Sequence, residues 1–411
     1  MSAKYFYGYR IVAASSVIQM AHLGCVFTFG VLFPAFESEF GWSRALISGA
    51  SSLNFFLLGI FGIVIGFATD RYGPRIVLTS CGLLFAIGFL LMYRMTEIWQ
   101  LYLYYGCIAG IGMAAHDIAT LSTVTRWFVR YRGLMSGFVK AGAGIGQVIV
   151  PPIAVFLLIT YGWRTSSLVV GTCALFIIVI AAQFMRRDPA SLDLRPFGEE
   201  MQLNSKESDN ENGCSLREAI AKRSFWILSF AKLSDMFCLF TIVIHIVPHG
   251  IDQGFSSGTA VAVLSTIGGS SILGRVLLGA VFDRVGPWRS LLICFSLLLS
   301  ALLLIQLSSQ PKWLFLFALI YGIGHGGFFA IAAPSIGHYF GTKSHGLIFG
   351  VLIFVGTLGG TAGPLLSGYL FDITGNYDIA FMVLTGFAIS GLFLAALLRV
   401  VDHREQPSFS L

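Results

Sequence analysis

Twelve apolar runs, each about twenty residues or longer, are separated along this chain by short charged or turn-rich breaks. A run of that length crosses a hydrocarbon layer of about 30 Å as a helix. Inside lipid a helix is also one of the few folds that satisfies its own backbone. The runs fall near 10–35, 45–68, 75–95, 98–124, 133–158, 163–186, 225–249, 257–281, 290–308, 313–338, 345–371 and 377–399. Of the 411 residues 56% are hydrophobic and 11% charged, with a mean hydropathy of +0.81, far more apolar than a soluble domain. The expected fold class is an all-α membrane protein of twelve transmembrane helices.

Lysine and arginine set the expected orientation, because cationic loops are held on the cytoplasmic side. With the N-terminus inside, 19 of the 26 basic residues lie in cytoplasmic segments. Four lie outside (Arg44, Arg94, Arg164, Lys312) and three within runs (Lys140, Lys232, Arg275). The chain is therefore expected in the inner or plasma membrane with both termini cytoplasmic. Its net charge of +6 reads as a topology signal and gives a nucleic-acid partner little support. The first run is long and lacks a small-residue cleavage site, so it is expected to remain as a helix. Seven cysteines stand singly without a CxxC, so no metal cage, disulfide framework or cofactor is indicated.

The longest polar stretch divides the chain into a bundle at 1–186, a cytoplasmic linker at 187–223 and a second bundle at 224–411. Within the linker, Ser215 and Glu218 have the spacing of a helix cap. The two halves repeat. GFATDRYGPR (66–75) returns as GAVFDRVGPWR (279–289), so that Gly66, Asp70, Arg71, Gly73 and Pro74 recur 213 positions later as Gly279, Asp283, Arg284, Gly286 and Pro287. Gly133, Gly137, Gly146, Pro151 and Gly162 recur at the same offset, and 109–128 faces 321–340 at an offset of 212. Two six-helix bundles in parallel repeat imply a central site between them.

The Gly-x-x-x-Asp-Arg-x-Gly-x-Arg pattern of Gly66 to Arg75 resembles the signature loop of the major facilitator superfamily. The second copy matches apart from one extra residue before Arg289. FGWSR (40–44), RWFVRYRGLMSG (126–137) and HIVPHGIDQG (245–254) are similar to its monocarboxylate porter and oxalate:formate antiporter branch. The resemblance covers essentially the whole chain and implies the twelve-helix major facilitator fold. It also implies that an arginine in the eighth span binds substrate carboxylate, a position that Arg275 matches. In the oxalate carrier of that branch a lysine in the eleventh span supplies a second cation. Here Lys343 precedes that span and none follows, which points to a monocarboxylate, with Lys140 keeping a dianion open.

Charge inside a span costs roughly 2.5 to 3.5 kcal/mol and normally faces a water path or a partner. Eight residues separate Arg275 from Asp283, about 12 Å of helix, and helical side chains lean toward the N-terminus, here deeper into the membrane. A planar guanidinium at that depth suits a carboxylate. At similar depth lie His22, Asn54, His116, His325, Asp117 and Asp235 as candidates for substrate contact or, for the two aspartates, proton coupling. Each His or Asn serves equally well as a tie between helices. Asp235 has two open partners, Arg275 or Lys232 one turn away, and Lys140 is expected to pair with Asp117. Asp70, Arg71, Arg75, Asp283, Arg284 and Arg289 form the expected cytoplasmic gate, with the aspartates accepting from a neighbouring helix N-terminus and the arginines pairing across helices.

These residues predict a secondary transporter of small monocarboxylates such as lactate or pyruvate. It is expected to be proton-coupled, to work by alternating access and to function as a monomer, its partners being a carboxylate anion, a proton and the bilayer. An anion exchanger of the oxalate:formate type and a drug or other solute exporter are the alternatives within the fold. No HExxH, GxSxG or paired metal-ligand spacing supports an enzyme. The small linker and tail do not suit a sensor.

Overall fold

The computed structural model describes residues 6–42, 44–198, 213–306 and 310–405, and among them it is almost wholly helical. The long helices are α1 (Gly8–Phe40), α2 (Arg44–Tyr72), α3 (Pro74–Met92) and α4 (Ile98–Trp127), followed by the run Arg132–Gln183. After a six-residue helix at Leu216–Ala221 come α7 (Arg223–Asp252), α8 (Ser257–Val285), α9 (Pro287–Gln306), α10 (Pro311–Phe340), α11 (His345–Thr374) and α12 (Asp378–Glu405). By length and hydropathy, eleven of these cross a membrane. The 52-residue run Arg132–Gln183 would be about 80 Å long if straight, far more than one crossing. Gly162 breaks it with φ 82° and ψ 164°, a conformation open mainly to glycine, so the run is two crossings, α5 (132–161) and α6 (163–183). The predicted twelve are thereby accounted for.

Large apolar side chains remain exposed in both halves, including Ile159 (80%), Phe156 (63%), Leu365 (70%) and Phe393 (64%). A surface in water would not leave so many uncovered, while lipid covers them at no cost. The short helix after the linker forms as its spacing predicts, with Ser215 and Glu218 in a reciprocal cap.

The chain divides into two compact units. The first comprises Met1–Gly213 with Gly341–Phe354, and the second Cys214–Phe340 with Val355–Leu411, so the boundary passes through α11. In the first unit α1 lies directly on α5, where a Cβ at Gly142 or Gly146 would strike the backbone carbonyls of Ser16 and Met20. Phe36, Phe85, Phe89, Tyr105 and Trp163 fill its core. Within α4, residues Tyr102–Ala109 wind as a wider π-helix. There Gly110 N–H turns to Cys107 O, and Tyr105 O accepts the Asn54 amide from α2 at 2.7 Å. In the second unit α10 lies against α8, with Gly326 so close that a Cβ would fall 2.9 Å from Arg275 N.

Candidate functional site: two buried charge clusters

In the first unit three polar side chains converge on one carboxylate oxygen. Asp117 Oδ1, on α4, receives Lys140 Nζ from α5 at 2.5 Å and Gln19 Nε2 from α1 at 2.6 Å, and lies 3.4 Å from His116 Nε2. Lys140 is 3% exposed, so this is an ion pair inside the protein, as its spacing predicts. His116 Nδ1 lies 2.7 Å from Met113 O, and the His22 ring stacks over it with centroids 5.7 Å apart. His22 Nε2, Gln19 Oε1 and Asn54 Oδ1 are buried without a hydrogen-bond partner among the described residues. The unit thus presents neutral polar groups around a charge that is already balanced.

At the end of this unit where α2 stops, Asp70 caps α11. Its Oδ1 accepts from Gly346 N at 3.1 Å and its Oδ2 from Leu347 N at 3.0 Å, placing negative charge at the positive end of that helix. Arg126 Nη2, at the end of α4, meets the same Asp70 Oδ1 at 2.5 Å and also reaches Thr342 O at 3.2 Å. Gly66 and Gly346 let α2 and α11 touch backbone to backbone. Arg75 Nε donates to Gln183 Oε1 at 2.8 Å, and Arg71 lies against Phe67 and Tyr72.

The opposite end of the unit carries a second knot. Glu39 accepts from the Trp163 indole at 2.5 Å and from Arg164 Nη1 at 2.6 Å, while Arg164 Nη2 reaches Met95 O. The indole donor, aided by the guanidinium, holds the Glu39 carboxyl below its ordinary range.

Among its described residues the second unit buries Lys232 and Asp235 on α7 and Arg275 on α8, each 6% exposed or less. Lys232 Nζ donates to Asp235 Oδ2 at 2.8 Å. Of the two partners the sequence left open for Asp235, Lys232 is the one within ion-pair distance. Both cations lie on one aromatic ring from α10: Lys232 Nζ is 5.0 Å and Arg275 Cζ 5.5 Å from the Phe329 centroid. His325 stands edge-on to the same ring at 4.9 Å and stacks on Tyr321. Farther along α7, His245 lies 3.1 Å from both Tyr377 Oη and Pro364 O, and His249 packs on Phe381. Arg289, after α8, lies over Trp288.

The sequence profile of the Major Facilitator Superfamily matches residues 16–305 and 289–410. The chain belongs to the major facilitator superfamily. Among its relatives, this facilitator is 30% identical over 390 residues to monocarboxylate transporter 13 of Bos taurus, covering 94% of this chain and 88% of the relative. It is 25% identical over 401 residues to human monocarboxylate transporter 11, covering 94% and 82%. A solved proton:xylose symporter, XylE, superposes with a TM-score of 0.79 over 96% of this chain and 95% of its own, at 13% identity, a likeness of fold alone. The facilitator is thus an integral membrane transporter, several of whose relatives are named for monocarboxylates.

The structure gathers the candidates into separate groups. His22, His116 and Asp117 join Lys140 and Gln19 in the first unit, Asn54 ties α2 to α4, and Asp235, Arg275 and His325 meet around Phe329 in the second. Sequence reasoning passed over three of the contacting residues. Arg126 was visible only inside a motif, Gln19 as an unremarked polar residue and Phe329 as cavity wall. The repeat could have found two of them: at an offset of 213 Gln19 corresponds to Lys232 and His22 to Asp235, and at 212 Asp117 corresponds to Phe329. In both units, then, a residue at the first of these positions touches the residue at the third.

Proposed function

We propose that this facilitator is a secondary active transporter of small monocarboxylates, lactate- or pyruvate-like, coupled to protons. It works as a monomer by alternating access in the cell membrane, with both termini cytoplasmic. The two bundles at 1–186 and 224–411, joined by the linker 187–223, are the moving parts. The observation that carries this reading is the Arg275 guanidinium, buried on α8 against the Phe329 ring, where a planar cation suits a carboxylate. The names of the relatives support the same substrate class.

Arg275 holds the carboxylate bidentately, with His325 beside it, and His22, Asn54 and His116 are the first unit's own candidates for polar contact with substrate. Asp235 carries the coupled proton, with Asp117 and His116 as the corresponding group in the first unit. Loading a proton with a monoanion returns the buried charge to that of the empty carrier, so loaded and empty forms cross the low-dielectric layer alike. Asp70 with Arg71 and Arg75, and Asp283 with Arg284 and Arg289, form the cytoplasmic gate. Arg126 joins the first set, and such contacts break when the site opens inward.

Purified protein in liposomes, given labelled lactate outside and an inward proton gradient, should accumulate lactate above equilibrium. Uptake that ignores the gradient would remove proton symport, and uptake of a cationic dye in place of lactate would favour an exporter.

A further inference from the structure

Lys232 and Asp235 are the groups in the second unit whose charge the site does not need in order to hold one carboxylate. Their surroundings suggest what they do. Lys232 leaves α7 across a glycine of α11: a Cβ at Gly356 would lie 3.0 Å from Lys232 Cγ. The stem therefore runs where a side chain of α11 would otherwise stand, and its ammonium ends 5.0 Å from the Phe329 ring that also borders Arg275. The two cationic groups are then no more than about 10 Å apart, each within the range of a cation–π contact. The repeat places uncharged Gln19 at the position of Lys232, and an aspartate at the position of Phe329. The first unit thus puts an anion where the second puts an aromatic ring that two cations touch.

We infer that Lys232 is a second anion-binding cation held in reserve: Asp235 neutralises it in the resting unit, and protonation of Asp235 releases its ammonium to the ring it shares with Arg275. The ligand that uses both cations is a short acid with a carboxylate and a second oxygen acceptor, a 2-hydroxy or 2-oxo acid. A short dicarboxylate becomes a ligand whenever Asp235 is neutral. This inference rests on the carboxylate reading of Arg275 and names the residue that sets selectivity there. Among the described residues, the titratable groups near the Asp235 charge include Lys232 and Cys238 on its own helix, Cys294 on α9 and Tyr321 on α10, and the packed helix α8 brings Arg275 to the ring that Lys232 touches. From α12, Ser390 approaches through Ser234. Lys232 is the one of these within ion-pair distance, 2.8 Å, so a change of charge on Asp235 acts upon it directly.

The experiment uses full-length purified protein and measures displacement of bound labelled lactate by unlabelled propionate and oxalate, a readout that does not need Asp235 to carry a proton across. In the parent, lactate should compete better than propionate, and oxalate should compete poorly at neutral pH. Asp235→Asn keeps a hydrogen-bond acceptor for Lys232 while removing its charge, and it should make oxalate at least tenfold more effective. Lys232→Met should lower the advantage of lactate over propionate to about onefold, and adding it to Asp235→Asn should abolish the gain for oxalate. Thermal unfolding of each variant separates folding failure from altered selectivity. The same competition can be followed in unmutated protein, where oxalate should gain on propionate as the medium is acidified. Parent protein that neither transports nor binds lactate would overturn the carboxylate reading itself. Lactate binding with oxalate competition unchanged by Asp235→Asn and by acidification would overturn this inference alone.

Discussion

The two units handle buried charge in opposite ways. In the first, Lys140 is matched by Asp117 and Arg126 by Asp70, each at 2.5 Å, and each carboxylate also accepts further hydrogen bonds. In the second, Asp235 pairs with Lys232, and Lys232 and Arg275 share one aromatic ring. A unit whose charges close on one another offers an incoming ligand hydrogen bonds but no net attraction. The repeat that makes the halves alike in backbone has thus diverged at the positions of Gln19 and Lys232, His22 and Asp235, and Asp117 and Phe329.

That contrast breaks most severely if the balance in the first unit is disturbed. Lys140→Met strands Asp117 in the interior, and losing one partner of a buried pair costs about 3 to 5 kcal/mol. Thermal unfolding in detergent should show a large loss, and the double variant Lys140→Met with Asp117→Asn should recover most of it. A single variant as stable as the parent would show that Asp117 is not held as a charge. Next in size is the cap on α11. Asp70→Asn removes the charge that faces two amides and Arg126, and caps of this kind contribute about 0.5 to 2 kcal/mol. Hydrogen exchange at the amides of Gly346 and Leu347 should quicken about tenfold, while amides beside Lys232 should not change.

The smallest effect belongs to the exposed knot at Glu39. Its folded carboxyl titrates below the unfolded value, because the Trp163 indole and Arg164 favour the anion. The stabilisation is therefore fully present above the ordinary glutamate range and is lost as the pH falls through the lower, folded value. Glu39 is 39% exposed, so the contribution is screened and under about 1 kcal/mol. Glu39→Gln should lower the melting temperature slightly at neutral pH, and the two proteins should converge in strong acid. A gap that widens on acidification would reverse the assignment.

Helix number, the break at Gly162 and the pairing of the halves were legible because each rests on a long-range property of sequence: run length, glycine register and repeat offset. Arg275 was legible because a cation in an apolar run has few reasons to be there. The Asp117–Lys140 pair followed from depth and helix neighbourhood. What the sequence left open was which of two neighbours a charge chooses. Lys232 and Arg275 were both within range of Asp235, and only the packing of α7 against Gly356 and Phe329 shows the ammonium beside the carboxylate. Arg126 escaped because an arginine at a span's end looks like any anchor until its distance to Asp70 is known. Phe329 escaped because an aromatic ring in a span is ordinary core unless cations are found upon it.

The account depends on Arg275 receiving the acid, and binding tests this more directly than flux, because flux also requires the gates to move. Purified parent protein and Arg275→Gln, matched for helical content, should be heated with and without saturating lactate. The parent is predicted to melt at a higher temperature with lactate present and the variant to melt at the same temperature with or without it. An equal lactate-induced rise in both proteins would contradict the assignment of Arg275 as the carboxylate seat.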